Sequence, residues 1–149
     1  MTKRSEIPEG STLYLLSVIN KRIRRRLELQ LKSHVDSRLS ISHADIVFFT
    51  HLNQRATISD LTRHLGVTKS TMTVLIRKLE ELKLIQRLTD SKDRRTTWIT
   101  LTAQAEELTY QAKGFGAETE KQLLSPLSAD DRLTFVRILH TLKHHTDAW

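Results

Sequence analysis

Thr68-Lys69-Ser70-Thr71-Met72-Thr73-Val74-Leu75-Ile76-Arg77-Lys78-Leu79 is the stretch that decides the fold. Met72, Leu75, Ile76 and Leu79 fall at i, i+3, i+4 and i+7, which makes one apolar helix face for burial. The other positions, Lys69, Ser70, Thr71, Thr73, Val74, Arg77 and Lys78, are then turned outward. Thr68 stands at the N-cap. Upstream lies a shorter helix, with Ser59 as its N-cap and Gly66 ending it in the left-handed conformation. Downstream, residues 85–89 and 96–101 read as two strands. Asp90-Ser91-Lys92-Asp93-Arg94-Arg95 forms the polar tip between them. A helix, a glycine turn, a second helix and a basic hairpin make a winged helix-turn-helix. Its second helix fits a DNA major groove, and its ribbon reaches the neighbouring minor groove.

The outward residues suit that task. The first turns of the helix are short and hydrogen-bonding, so backbone and bases can approach closely. Thr73 and Val74 offer methyl groups to thymine, and Arg77 reaches guanine or phosphate. Lys69 and Ser70 lie at the helix N-terminus, where the dipole favours a phosphate. On the ribbon, Lys92, Arg94 and Arg95 flank Asp93. Arg95 is expected to enter the minor groove and Arg94 to meet phosphate, with Asp93 holding an arginine in place beforehand.

Outside this block the chain is helical. Residues 1–10 read as a disordered tail. Leu16, Ile19, Ile23, Leu27 and Leu31 mark one face of a helix running to about Ser33. Ser42 and Asp45 form a capping-box variant ahead of Ile46, Val47, Phe49 and Leu52. Residues 53–55 read as a loop and 56–58 as a short strand. A long helix from Thr102 to about Leu124 follows the hairpin. Pro126 breaks it, and Ser128 caps a last helix with the stripe Leu133, Val136, Leu139 and Leu142. The expected architecture is mainly α with a small β-wing. Residues 36–102 form the DNA-binding domain, and residues 11–35 and 103–147 form dimerisation helices. The outer helices have more apolar face than the central domain can cover, so a homodimer is expected.

Composition sets the class. The 149 residues carry a formal charge of +7, which favours polyanions. There is no cysteine, hence no disulfide and no thiolate metal site. No apolar run is long enough to span a membrane, and the first residues lack a signal peptide, so a cytoplasmic location is expected. No glycine-rich phosphate loop, cysteine nucleophile or catalytic carboxylate pair is evident; neither an enzyme nor a cofactor is expected. Lys21, Arg22, Arg24, Arg25 and Arg26 form a basic run. It is a solvated face, or else Arg22, Arg25 or Arg26 binds an anionic effector or flanking phosphate. His140, His144, His145 and Asp147 lie close enough along the last helix to raise a metal-responsive alternative. Trp98 is expected to pack, not to contact bases. A second alternative is a winged helix that grips a protein partner.

The central block resembles the multiple antibiotic resistance regulator (MarR) family of transcription factors. The resemblance lies in Ser59-Asp60-Leu61 with Leu65-Gly66-Val67, in Thr68 to Thr73 with Arg77-Lys78-Leu79-Glu80, and in Asp93-Arg94-Arg95 with Ile99-Thr100-Leu101-Thr102. It implies a homodimer bound to a pseudo-palindromic operator, and a small ligand that releases the DNA from a pocket between the dimer helices and the winged helix. Two positions depart from the pattern. Lys83 and Ala105 stand where the family often has glycine, and lysine in a left-handed helix ending costs about 1 kcal/mol.

Overall fold

A computed structural model describes residues 10–148. The chain divides into two compact units, one up to Phe115 and one from Gly116 onward. In chain order the elements are α1 (Thr12–His34), α2 (Ile41–Asn53), β1 (Ala56–Thr57), α3 (Ile58–Leu65), α4 (Lys69–Glu81), β2 (Ile85–Thr89), β3 (Thr97–Leu101), α5 (Ala103–Leu124) and α6 (Ala129–Thr146). The expected tail, apart from Gly10, lies outside the described residues.

In the first unit, α2, α3 and α4 enclose a core that the sheet closes. Ile46, Leu61, Met72, Ile76, Leu79 and Ile99 are fully buried. Of the α4 stripe only Leu75 is half-buried; it packs against the edge of that core. Truncating a central member such as Ile76 to alanine should cost about 2–5 kcal/mol. The sheet is antiparallel in the order β1-β3-β2, with Leu88 opposite Trp98 and Arg87 opposite Ile99. Alternation along β3 therefore turns Ile99 into the core and Trp98 to the other face.

The helix ends differ from the sequence reading in two places. Ser40, not Ser42, caps α2, and its amide donates to Nδ1 of His43 at 3.0 Å. The helix starts earlier because Glu28, on α1, reaches across to accept from the Ile41 amide at 2.5 Å. Asp45 does not cap; it binds Arg24 at 3.1 Å. Thr57, not Ser59, caps α3. Its hydroxyl accepts from the Asp60 amide at 3.1 Å, while the Asp60 carboxylate accepts from the Thr57 amide at 3.0 Å. Each partner satisfies a donor that the helix leaves open, and Ser59 lies inside the first turn.

Gly66 ends α3 with φ 64°, as the glycine turn requires. At the end of α4 the chain does the same with lysine. Lys83 has φ 58°. Its amide donates to the Glu80 carbonyl, and the Leu84 amide donates to that of Leu79, both at 2.9 Å. This is a Schellman ending closed by buried Leu79 and Leu84.

Outside this core, α1 exposes Leu13, Tyr14, Leu15, Leu16 and Ile19. In the second unit α6 is capped by Ser128, which accepts from the Asp131 amide. Its Leu133, Val136, Leu139 and Leu142 are all exposed.

Candidate nucleic-acid interface

The N-terminal end of α4 is built from hydroxyls. Thr68 Oγ1 accepts from the Thr71 amide at 3.2 Å and lies 2.9 Å from the hydroxyls of both Ser70 and Thr71. Lys69, Ser70, Thr71, Thr73, Val74 and Arg77 are exposed. Thr73 donates its hydroxyl to the Lys69 carbonyl at 2.8 Å, so its methyl is the group left to meet another surface. Arg77 lies 3.9 Å from Glu81 with its side chain 69% exposed. So loose a surface pair holds the guanidinium weakly. Lys78 differs from the expected outward position. It is half-buried, and its charge acts on Asp36 and on His43.

The helix is tied to the ribbon. Arg87 on β2 donates to both carboxylate oxygens of Glu80 on α4, at 2.6 and 3.1 Å. Paired bonds of this kind fix an angle as well as a distance. The helix α4 and the ribbon thus belong to one body.

The tip between β2 and β3 is held by two aspartates. Asp90 Oδ1 accepts from the amides of Lys92 and Asp93 at 2.8 and 3.0 Å. Asp90 Oδ2 accepts from Trp98 Nε1 at 2.7 Å. The indole bond, then the two amide bonds, draw the Asp90 carboxyl down to about 2. Asp93 accepts from the Arg95 amide and the Thr96 hydroxyl, both at 3.0 Å. Here the sequence reading needs amending. Asp93 braces the backbone of the turn, not an arginine side chain. A two-residue reach to an amide is shorter and less costly to order than a guanidinium contact. Lys92, Arg94 and Arg95 are exposed, and among the described residues neither arginine has an ion-pair partner.

The remaining candidates lie elsewhere. Arg22, Arg25 and Arg26 are exposed on α1, whereas Arg24 is taken by Asp45. Asp147 binds Lys143 at 3.1 Å. Among the described residues no three histidines or carboxylates are grouped to hold a metal. At the wing, Trp98 packs as expected, but sequence reasoning missed its partners: Asp90, which accepts from the indole, and Arg55, whose guanidinium lies 4.0 Å over the ring. His51 is hydrogen-bonded, joining α2 to Glu106 of α5 at 2.6 Å.

A three-helix core whose last helix presents a hydroxyl-rich leading end beside a basic β-hairpin defines a winged helix-turn-helix. Residues 39–96 match the family model described as the MarR family. The transcriptional regulator HosA of Escherichia coli O157:H7 is 28% identical over 75 residues, 50% of this chain and 56% of HosA. The chain thus spans about half the length of that relative. The HTH-type transcriptional repressor Rv2887 of Mycobacterium tuberculosis is 29% identical over 108 residues, 71% of this chain and 78% of the relative. A structure of Rv2887 in complex with salicylic acid superposes with a TM-score of 0.72 at 23% identity, covering 90% of this chain and 97% of that one. A Staphylococcus aureus MepR–DNA complex superposes at 0.75 and 23% identity, covering 93% and 98%. Residues 39–96 are thus similar to the MarR family, and the solved structures share the fold of this chain. Among the described residues, no helix is long and apolar enough to cross a membrane.

Proposed function

We propose that the protein is a DNA-binding transcriptional repressor that acts as a homodimer on a pseudo-palindromic operator. The observation that carries this reading is the exposed face from Lys69 to Arg77, fixed by Glu80 and Arg87 to a hairpin bearing Lys92, Arg94 and Arg95. Thr73 and Val74 meet thymine methyls, Arg77 reads guanine, and Lys69, Ser70 and Thr71 hold phosphate at the helix N-terminus. Lys78, being half-buried, touches only flanking phosphate. Arg95 enters the minor groove, and Asp93 keeps the turn that presents it. The chemistry is binding rather than catalysis, and the protein works in the cytoplasm.

The homodimer rests on the uncovered apolar faces of α1 and α6, too large to leave in water. Two copies set half-sites about 34 Å apart, one helical turn. MepR has been captured on DNA and Rv2887 with salicylic acid, so control by a small molecule is part of the reading. Exposed Arg22, Arg25 and Arg26 would suit an anionic effector or flanking phosphate.

The test is a selection of bound duplexes from a randomised pool, followed by a salt titration on the winner. Each phosphate neutralised lowers log K by about 0.9 per unit of log salt. A palindromic winner with a steep slope supports the reading. No enrichment, or a flat salt response, points to a protein partner instead.

A further inference from the structure

The wing carries a chain of contacts that base reading does not use. It begins at Gln54, whose φ of 68° turns the chain out of α2. Arg55 follows, its guanidinium carbon over the indole of Trp98, 4.0 Å from the ring centre. The same indole donates through Nε1 to Asp90 at 2.7 Å. Asp90 in turn holds the amides of Lys92 and Asp93. The four links run from the end of a core helix to the residues just before Arg94 and Arg95.

The physical need for such a chain is plain. The last strand pair is Thr89 with Thr97; past one further backbone bond, from the Asp90 amide to the Thr96 carbonyl, residues 91–95 are exposed. A two-stranded ribbon end with no core beneath it frays. An arginine carried on a fraying tip must lose its own freedom and that of the backbone when it docks. A charge-assisted bond to a ring that is itself clamped from above removes part of that cost before DNA arrives. The indole is suited to this work. Its flat face takes the guanidinium while its edge donates the hydrogen bond, so one side chain faces two partners at right angles.

We propose that Arg55, Trp98 and Asp90 form a positioning unit that holds the wing tip in its docking shape, so that Arg94 and Arg95 reach DNA already ordered. This rests on the DNA-binding reading for its purpose but not for its existence. Trp98 is a positioning residue here and touches no base.

The experiment uses Trp98→Phe, which keeps an aromatic ring under Arg55, smaller than the indole, and removes the N–H. In the free full-length protein, amide hydrogen exchange at Lys92 and Asp93 should quicken about tenfold, the worth of one hydrogen bond to a charged group. Exchange in the α4 amides should not change. On the duplex selected above, Trp98→Phe should weaken binding several-fold while preferring the same bases. In an Arg94→Ala/Arg95→Ala background it should cost nothing more, because there is no arginine left to position. Unchanged exchange at Lys92 and Asp93 would overturn the brace. An equal loss of affinity with and without the two arginines would show Trp98 to be merely structural, and would also overturn the proposal. A parent protein that binds no duplex would sink the DNA reading and the docking half of the proposal, while the exchange result would still judge the brace.

Discussion

Replacing Lys83 with glycine should make the protein more stable. Lys83 ends α4 at φ 58°, where its Cβ crowds the backbone. That conformation costs an L-residue about 1–2 kcal/mol. Glycine escapes the cost but gives the unfolded chain more freedom, which takes back about 0.5–1 kcal/mol. The net expectation is a gain of about 0.5–1 kcal/mol. The bonds of this ending survive the change, because they come from the backbone. The Leu84 amide still meets the Leu79 carbonyl, and the Thr102 hydroxyl still donates to the residue 83 carbonyl at 2.8 Å. Urea unfolding at fixed protein concentration reads the effect as a later midpoint with an unchanged slope. Lys83→Ala is the control. It removes the same charge and stem but keeps the strained φ, so it should gain nothing. If alanine stabilises as much as glycine, the gain comes from the lost charge and the backbone argument fails. A glycine variant less stable than the parent would refute it as well.

Two further perturbations test the helix ends. His43 is buried and accepts the Ser40 amide; burial first, then the charge of Lys78, hold its pKa below the ordinary 6.5 against the opposing pull of Glu28. A base with a depressed folded pKa contributes stability that is whole above 6.5 and lost as the pH falls below it. The urea midpoint should therefore drop between about pH 7.5 and 5.5, and His43→Gln should lack that component; an identical pH profile in the variant would count against it. Thr57→Ala removes one half of the reciprocal cap on α3. It should cost about 1 kcal/mol and quicken amide exchange in the first turn of α3.

Much of the helix-turn-helix and its hairpin was legible in the sequence because its signals are local. The stripe Met72, Ile76 and Leu79, the left-handed Gly66 and the basic tip each follow from spacing or turn chemistry within a few residues. The helix starts were less legible. Ser40, Ser42, Thr57 and Ser59 are all competent caps, and the choice among them was made by partners. Glu28 lies 13 residues before the Ile41 amide that it accepts. Asp45 looked like a capping residue but was claimed by Arg24, 21 residues away. The wing shows the same limit. Alternation placed Trp98 on the outer face, yet no pattern along the chain says that Arg55 will cover it. Nor does spacing alone reveal whether Asp93 reaches a side chain or the nearer amide. Contacts between distant segments, and choices between equivalent partners, are settled by packing.

The central claim is that the exposed side of α4 reads bases beside a charged hairpin. The most direct measurement is a randomised-duplex selection run in parallel on the parent, Arg77→Ala and Arg95→Ala. Arg77→Ala should lose preference at one position of each half-site, by about 1–3 kcal/mol. Arg95→Ala should weaken binding while that position keeps its preference. Parent-like motifs and affinities from both variants would contradict the claim.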